Sequence, residues 1–287
     1  MVFRNDRLLR KTKVIATLGP ACDDTNTLSA MITAGMNVAR LNLSHGSFES
    51  QGRRVGEVRK AAAAMGANVA IMVDTRGREI RTGGIAEGAI ELERGQDFVL
   101  YNDGRSGTAQ GTSVSHTTLY AHAKPGHRVL LDDGSVELLV TSISDQDVQC
   151  RVECGGTLRA NKSVNLPDTP QAANDLETND ERDLRFAAEH DVEYIAASFI
   201  RSAEDIVHLR KQLQVLGADI PIIAKIESRE GVENLEEIIV NADGAMVARG
   251  DLGVELPLAK GPLIQKQIIR TTVTNGKPVI TATQMLD

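Results

Sequence analysis

The chain has 287 residues, of which 41% are hydrophobic, so it can bury a sizeable core in one or two domains. Its formal net charge of −7 argues against nucleic acid as a partner, because binding to the phosphate backbone needs a basic surface. The charged N-terminus lacks a signal-peptide core, no run could span a membrane, and the three cysteines form no disulfide framework, so we expect a reducing cytoplasm and no membrane partner.

The first part of the chain alternates predicted strands and helices. Apolar runs of strand length alternate with stretches whose apolar residues recur at helical spacing. The resulting βαβαβ order consists of Lys13–Leu18, Thr25–Gly35, Met36–Leu43, Ser50–Met65 and Val69–Val73.

The middle of the chain has a different pattern. From about Gly84 to Leu166, short alternating runs are separated by Gly, Asp and Asn turns, which indicates a small all-β domain inserted into the α/β pattern. Inserted modules of this kind commonly act as lids. We therefore predict a barrel at 1–83 and 169–287 and an inserted β-domain at 84–168. The runs are Ile90–Leu92, Asp97–Tyr101, Arg128–Leu131, Val136–Ser142 and Val148–Cys154.

The α/β pattern then returns. Its predicted elements are the helix Asn179–His190, with Thr178 or Asn179 as its N-cap, then Tyr194–Ile200, Ala203–Leu216, Pro221–Ile226, Asn234–Val240, Gly244–Ala248, Leu263–Asn275 and Pro278–Thr283. Seven βα strands in this order predict a TIM-type (β/α)8 barrel that lacks its eighth strand. We leave open whether the chain is part of a longer protein, is closed by a partner chain, or rearranges.

Three charged residues are predicted to meet at the ends of two neighbouring strands. Lys225 and Glu227 lie at i and i+2 and share a face, and Asp251 follows the next strand. The carboxyl ends of parallel strands form the usual small-molecule sites of α/β folds. Two carboxylates there would suit Mg²⁺ or Mn²⁺. The alternative is a buried Lys–Glu pair with Asp251 as a helix cap.

The second predicted strand supplies further polar residues. Arg40, Asn42 and Ser44 lie on one side of it, and an arginine in a barrel mouth can bind phosphate or carboxylate with two N–H groups. Together with Asp74 and Thr75, Asn42 and Ser44 offer oxygen ligands for a monovalent cation. The alternative for Ser44 and Thr75 is ordinary turn chemistry.

Five stretches taken together resemble the signature sequences of pyruvate kinase. They occur in that family's order, with a β-rich insertion after the third strand, and the similarity extends from about Lys11 to Asp287. The stretches are MNVARLNLSHG, DTRGREIRTG, IIAKIES, AMVARGDLGVE and KPVITATQM.

The resemblance implies an enzyme that transfers the phosphoryl group of phosphoenolpyruvate to ADP, with Mg²⁺ (or Mn²⁺) and usually K⁺. It implies that Lys225 stabilises the transferring phosphoryl group and the enolate, that Arg40 holds the phosphate, and that Thr283 lies by the methylene face where the enolate is protonated. Glu227 and Asp251 would bind Mg²⁺, and the backbone of Gly250 and Asp251 would contact the substrate carboxylate.

The resemblance also implies sites for K⁺ and the nucleotide. The K⁺ ligands would be Asn42, Ser44, Asp74 and Thr75, and Glu79 occupies the position associated with K⁺ dependence. The nucleotide side would be formed by Asn42, His45, Arg81 and Lys162.

The sequence departs from the family pattern in two places. Arg78 stands where proline is common, and the family's last barrel segment and C-terminal domain, which carries much of its oligomer interface, have no counterpart here. We expect a homo-oligomeric enzyme, with the activity of this chain left open. One alternative is an inactive relative that binds ligands or a partner through the open barrel edge. Another is a different metal-dependent enzyme of phosphoenolpyruvate or pyruvate, which the nucleotide-side residues and the insertion argue against.

Overall fold

The computed structural model describes residues 10–77, 80–116, 118–169 and 180–282. Its N-terminal part has the predicted order of strands and helices, with ends that differ by one or two residues. The elements are β1 (Val14–Thr17), α1 (Thr25–Ala34), β2 (Met36–Asn42), α2 (Phe48–Ala64) and β3 (Ala70–Asp74).

The inserted segment forms its own sheets and its own core. Its elements are β4 (Ala89–Leu92), β5 (Asp97–Tyr101), β6 (Gly111–Ser113), α3 (Leu119–His122), β7 (Arg128–Leu131), β8 (Val136–Ser144), β9 (Asp147–Cys154), β10 (Gly156–Arg159) and β11 (Val164–Asn165). A six-stranded sheet has the order β11-β7-β8-β9-β5-β6, and a two-stranded sheet pairs β10 with β4. Phe98, Leu131 and Val152 are fully buried in the core of this segment. The prediction of strands alone misses α3, a single helical turn. The predicted boundaries at 83/84 and 168/169 stay predictions.

The α/β pattern resumes after the insertion. Two short helices that begin at or just after the ends of strands, Arg229–Glu233 and Arg249–Glu255, were not predicted, because helices of five and seven residues are too short for a visible period. The predicted cap at Thr178 or Asn179 lies outside the described residues. The elements are α4 (Asp180–Glu189), β12 (Tyr194–Ala197), α5 (Ala203–Val215), β13 (Ile222–Ile226), α6 (Arg229–Glu233), α7 (Leu235–Asn241), β14 (Gly244–Ala248), α8 (Arg249–Glu255), α9 (Gly261–Thr274) and β15 (Val279–Ala282).

Seven parallel strands form one sheet in the order β1-β2-β3-β12-β13-β14-β15. The strands are neighbours in chain order, and the insertion falls between β3 and β12. The predicted fold, an incomplete TIM-type barrel of seven strands with a β-rich insertion, is confirmed. Within the described ranges, we find no helix with the length and apolar character needed to cross a bilayer.

The two faces of this sheet have different neighbours. Ile222, Ala224 and Ile226 of β13 pack in the large core between the sheet and its helices. Ile223 belongs to a small cluster with Met72 and Met246 on the other face. Because side chains alternate along a strand, Lys225 shares the inner face with Ile223.

Candidate active site

The ammonium group of Lys225 is the centre of a cluster of buried polar side chains. Its Nζ donates to Ser198 Oγ at 2.6 Å and to Asp74 Oδ1 at 2.9 Å. Glu227 Oε1 lies 2.9 Å from the same nitrogen. The side chain of Lys225 is 10% exposed, and those of Asp74 and Glu227 are each 1% exposed. The ammonium has three donors, and these three oxygens hold it in one place.

Three neighbouring strands bring these groups together. β3 pairs with β12, and β12 pairs with β13, all in parallel. Asp74 is the last residue of β3, Ser198 follows β12 directly, and Lys225 is the last residue but one of β13. The cluster therefore lies at the carboxyl edge of the sheet, where α/β folds form their sites.

Arg40 extends the cluster to the next strand, β2. Its Nε donates to Asp74 Oδ2 at 2.6 Å, and its Nη1 donates to Thr17 Oγ1 at 2.7 Å. Asp74 therefore joins Arg40 and Lys225 through its two oxygens. Both cations are oriented by protein contacts.

Ser198 is a member of the cluster that sequence reasoning missed. The predicted strand Tyr194–Ile200 is too long, because β12 ends at Ala197 and Phe199 has a φ of +56°. Ser198 Oγ donates to the carbonyl of Thr75 at 2.7 Å, and the N–H of Phe199 donates to Glu227 Oε2 at 2.6 Å. A hydroxyl residue at the end of an apolar run was the available signal, but that pattern is common in turns.

The buried charges shift one another's pKa values. Burial raises the pKa of Glu227 to about 7; the attraction of Lys225 opposes this shift, and the nearby charges of Asp251 and Asp74 add to it. Burial alone lowers the pKa of Lys225, but the attraction of Glu227 and Asp74 outweighs burial, so this pKa lies above its ordinary value. Lys225 is therefore a fixed cation at neutral pH.

Asp251 lies in the first turn of α8, close enough to repel Glu227 electrostatically. The alternative interpretation of Asp251 as a helix cap is wrong, because the cap residue of α8 is Ala248 and no side chain caps the helix. Gly250 and Asp251 line a cavity of about 790 Å³ that also reaches Asp133 of the insertion. Asp251 is thus partly open to a ligand.

The predicted K⁺ ligands lie at the ends of two paired strands. Asn42 is the register partner of Asp74, and Thr75 follows Asp74 directly. Asn42 Oδ1 accepts a hydrogen bond from the N–H of Ser44 at 2.9 Å, and Thr75 Oγ1 accepts one from the N–H of Ser198 at 3.1 Å. These oxygens lie along one edge of the sheet.

The predicted nucleotide-side residues are divided between two places. His45 is exposed on the turn after β2. Arg81 Nη1 donates to the carbonyl of Asn161 at 2.7 Å, and Lys162 Nζ lies 2.9 Å from Asp132 Oδ1. Arg81 and Lys162 thus each contact a residue of the inserted segment. Thr283 and Glu79, like Arg78, lie outside the described residues.

The chemistry of the cluster fits a hard divalent cation. In the described part of the chain, no group of three or more His, Cys, Asp or Glu residues could hold a metal by itself. Mg²⁺ needs only one or two protein carboxylates, with water and substrate oxygens as its other ligands. Burial, and to a smaller extent the charges of Asp251 and Asp74, raises the pKa of Glu227, so a further cation would stabilise its ionised form.

Comparison with known proteins shows the family of the chain. Residues 9–287 match the family described as pyruvate kinase, barrel domain. The chain is 44% identical over 281 residues to a pyruvate kinase of Staphylococcus aureus strain MRSA252 and 43% identical over 281 residues to that of strain USA300. These alignments cover 97% of the chain and 48% of each relative, so the chain spans about half the length of these curated relatives. The chain therefore belongs to the pyruvate kinase family, whose barrel domain its sequence matches from residue 9 to residue 287.

Proposed function

We propose that this chain transfers the phosphoryl group of phosphoenolpyruvate to ADP, giving pyruvate and ATP, which is a step of glycolysis. The observation that carries the proposal is the position of the Lys225 ammonium, held by Asp74, Ser198 and Glu227 at the carboxyl edge of a parallel sheet. Membership of the pyruvate kinase family supports the same reaction.

Lys225 would neutralise charge on the transferring phosphoryl group and on the enolate that remains. Phosphoryl transfer requires mainly positioning and charge neutralisation from a protein. The contacts of Lys225 to Ser198 and Asp74 place the cation before substrate binds, so little reorganisation is needed.

Arg40 would bind the phosphate of phosphoenolpyruvate. Its bonds to Asp74 and Thr17 fix the plane of the guanidinium group. A planar group held in this way can present two parallel N–H groups to a phosphate.

Glu227 and Asp251 would hold Mg²⁺ or Mn²⁺. The bound cation would neutralise phosphate and carboxylate charge and bring the two substrates together. The N–H of Phe199 orients Glu227 through Oε2. The backbone of Gly250 and Asp251 would bind the substrate carboxylate.

Asn42, Ser44, Asp74 and Thr75 would hold K⁺, and Glu79 would accompany the dependence on K⁺. Their oxygens suit a hard monovalent cation, which would add positive charge beside the phosphates. Asn42, His45, Arg81 and Lys162 would bind the nucleotide, and Thr283 would lie by the methylene group where the enolate takes up its proton. We further propose a cytoplasmic homo-oligomer with no nucleic acid or membrane as partner.

A pyruvate-release assay tests this function. The chain is supplied with phosphoenolpyruvate, ADP and Mg²⁺, with and without K⁺, and compared with Lys225→Met. We expect turnover that depends on both cations and is lost in the variant. A folded chain that releases pyruvate no faster than Lys225→Met would contradict the proposal.

A second candidate function is binding of a partner along the sheet edge. β1 and β15 stand at the two ends of the sheet order, all four residues of β15 are partly exposed, and Val14 of β1 is 45% exposed. A strand edge of this kind can pair with another chain. Sedimentation analysis together with the pyruvate-release assay tests this second function, since a monodisperse monomer with full turnover would exclude it.

A further inference from the structure

The side chain of Gln51, on α2, binds both ends of the turn that follows β2. Its Nε2 donates to the carbonyl of Asn42 at 3.0 Å and to the carbonyl of His45 at 2.7 Å. Gln51 is only 2% exposed, so water does not compete for these bonds. One amide group thus holds the backbone of residues 42–45 from a neighbouring helix.

The orientation of this amide follows from its partners. If the oxygen and nitrogen of Gln51 exchanged places, Oε1 would face two carbonyl oxygens with no hydrogen between them. Oε1 therefore points away from the turn, where it is buried and accepts no hydrogen bond from any described residue. A buried oxygen without a partner is unfavourable. The two bonds made by Nε2 are thus the physical reason for a glutamine here.

Other bonds also hold the turn, but they use different groups. The N–H of Leu43 donates to the carbonyl of Asp74 at 3.0 Å and the N–H of Ser44 to Asn42 Oδ1 at 2.9 Å, and neither binds the two carbonyls that Gln51 holds. The N–H of His45 reaches the carbonyl of Asn42 at 3.3 Å, which is long for such a bond. Ser47 and Ser50 bond to each other in a capping box that fixes the start of α2. Gln51, in contrast, connects α2 to the turn itself.

The turn carries residues that the proposed function places against two ligands. Asn42 and Ser44 would face K⁺, and Asn42 and His45 would face the nucleotide. Asn42, at the start of the turn, is paired in register with Asp74 at the end of β3. A displacement of the turn would therefore separate the oxygens of Asn42 and Ser44 from those of Asp74 and Thr75. Arg40 and Lys225 keep their own bonds to Asp74, so the proposed contacts to phosphoenolpyruvate do not depend on the turn.

We propose that Gln51 is a positioning residue, which holds the 42–45 backbone so that Asn42, Ser44 and His45 meet K⁺ and ADP. This inference rests on the proposed function. It adds to the proposed site a residue that contacts neither K⁺ nor ADP and acts only by holding the backbone of the turn. Loss of the Nε2 donor weakens binding of K⁺ and ADP and leaves binding of phosphoenolpyruvate nearly unchanged.

The test uses two variants of the full chain. Gln51→Glu replaces the donor by an acceptor of the same shape, and Gln51→Met removes it with little change in volume. We expect the K⁺ concentration for half activation and the KM for ADP to rise roughly tenfold, as for loss of a hydrogen bond to a buried carbonyl. The KM for phosphoenolpyruvate should change far less. The matched control is Gln212→Glu on α5, where a glutamine pairs with His208 and also has a buried Oε1 without a partner in the described chain.

Two readouts do not depend on activity. Calorimetric titration measures ADP binding, and amide hydrogen exchange measures protection of residues 42–47, which should fall in both Gln51 variants and stay unchanged in Gln212→Glu. Unchanged exchange at the turn, or unchanged K⁺ and ADP constants in an active variant, would overturn the inference. So would loss of the fold in both Gln51 variants, since that result assigns Gln51 to global stability. An inactive unmodified chain would overturn the proposed function, and the exchange comparison would still decide the role of Gln51.

Discussion

Ser198 Oγ lies 2.6 Å from Lys225 Nζ and, in turn, donates to the carbonyl of Thr75 at 2.7 Å. The hydroxyl of Ser198 thus connects the cation of β13 to the end of β3. The position of the Lys225 ammonium therefore depends also on Ser198, which directly follows β12.

Ser198→Ala should lower kcat while the fold is kept. The variant removes one of the three oxygens around Lys225, and the ammonium gains freedom to move away from the substrate phosphate. We expect a loss of roughly tenfold, the scale of about 1.4 kcal/mol of lost positioning. Steady-state kinetics would show it, with Ser142→Ala on the exposed side of β8 as the control. A kcat equal to that of the unmodified chain would show that Asp74 and Glu227 suffice to hold Lys225.

Glu227→Gln should raise the Mg²⁺ concentration needed for half activation by more than about tenfold, because a neutral amide is a much weaker ligand than a carboxylate. Mg²⁺ titration of turnover at saturating substrates measures the change. Glu255→Gln is the matched control, since burial also raises the pKa of Glu255, which accepts a bond from the N–H of Arg229. If the Mg²⁺ concentration for half activation rose equally in both variants, the effect would come from the loss of any buried acid, and metal binding by Glu227 would be contradicted.

Arg76→Met should destabilise the protein by about 3 kcal/mol, because it leaves a buried carboxylate without its cation and with only the hydrogen bond from the backbone N–H of residue 76. Asp183 is fully buried, and Arg76 binds it through Nε at 3.0 Å and Nη2 at 2.6 Å. Urea unfolding measures the loss. Arg53→Met breaks an exposed pair with Glu49 and should cost less than about 1 kcal/mol. Similar losses of unfolding free energy in the two variants would show that the buried ion pair stabilises the protein no more than the exposed one.

The ion pair of Asp168 with Arg128 should stabilise the protein above acidic pH. The hydrogen bond from Arg128 lowers the pKa of Asp168, and Nε of Arg128 lies 2.8 Å from Oδ2. Because the folded pKa lies below the unfolded one, the stabilisation is complete above the unfolded pKa and disappears as the pH falls through the folded pKa.

Asp168→Asn should therefore lower stability by about 1 kcal/mol at pH 7. The difference from the unmodified chain should shrink below about pH 4, where aspartate in the unfolded chain takes up protons. Urea midpoints at several pH values would test this, with Asp145→Asn on the exposed turn after β8 as the control. A difference that stays constant with pH would exclude the ion pair as its cause.

The sequence by itself determined the order of the strands, the place of the insertion and the inner face of β13. These features follow from local patterns: apolar runs of strand length, turn residues between them, and the alternation that gives Lys225 and Glu227 one face. Such patterns need no knowledge of distant parts of the chain.

Only the tertiary structure decided which groups surround Lys225. Asp74 is 151 residues away along the chain and Ser198 is 27 residues away, and each reaches Nζ because β12 lies between β3 and β13 in the sheet. The contacts of Gln51 depend likewise on how α2 packs against the turn after β2. Burial then sets the charges, since the pKa of Glu227 reaches about 7 through desolvation and neighbouring acids that no local pattern brings together.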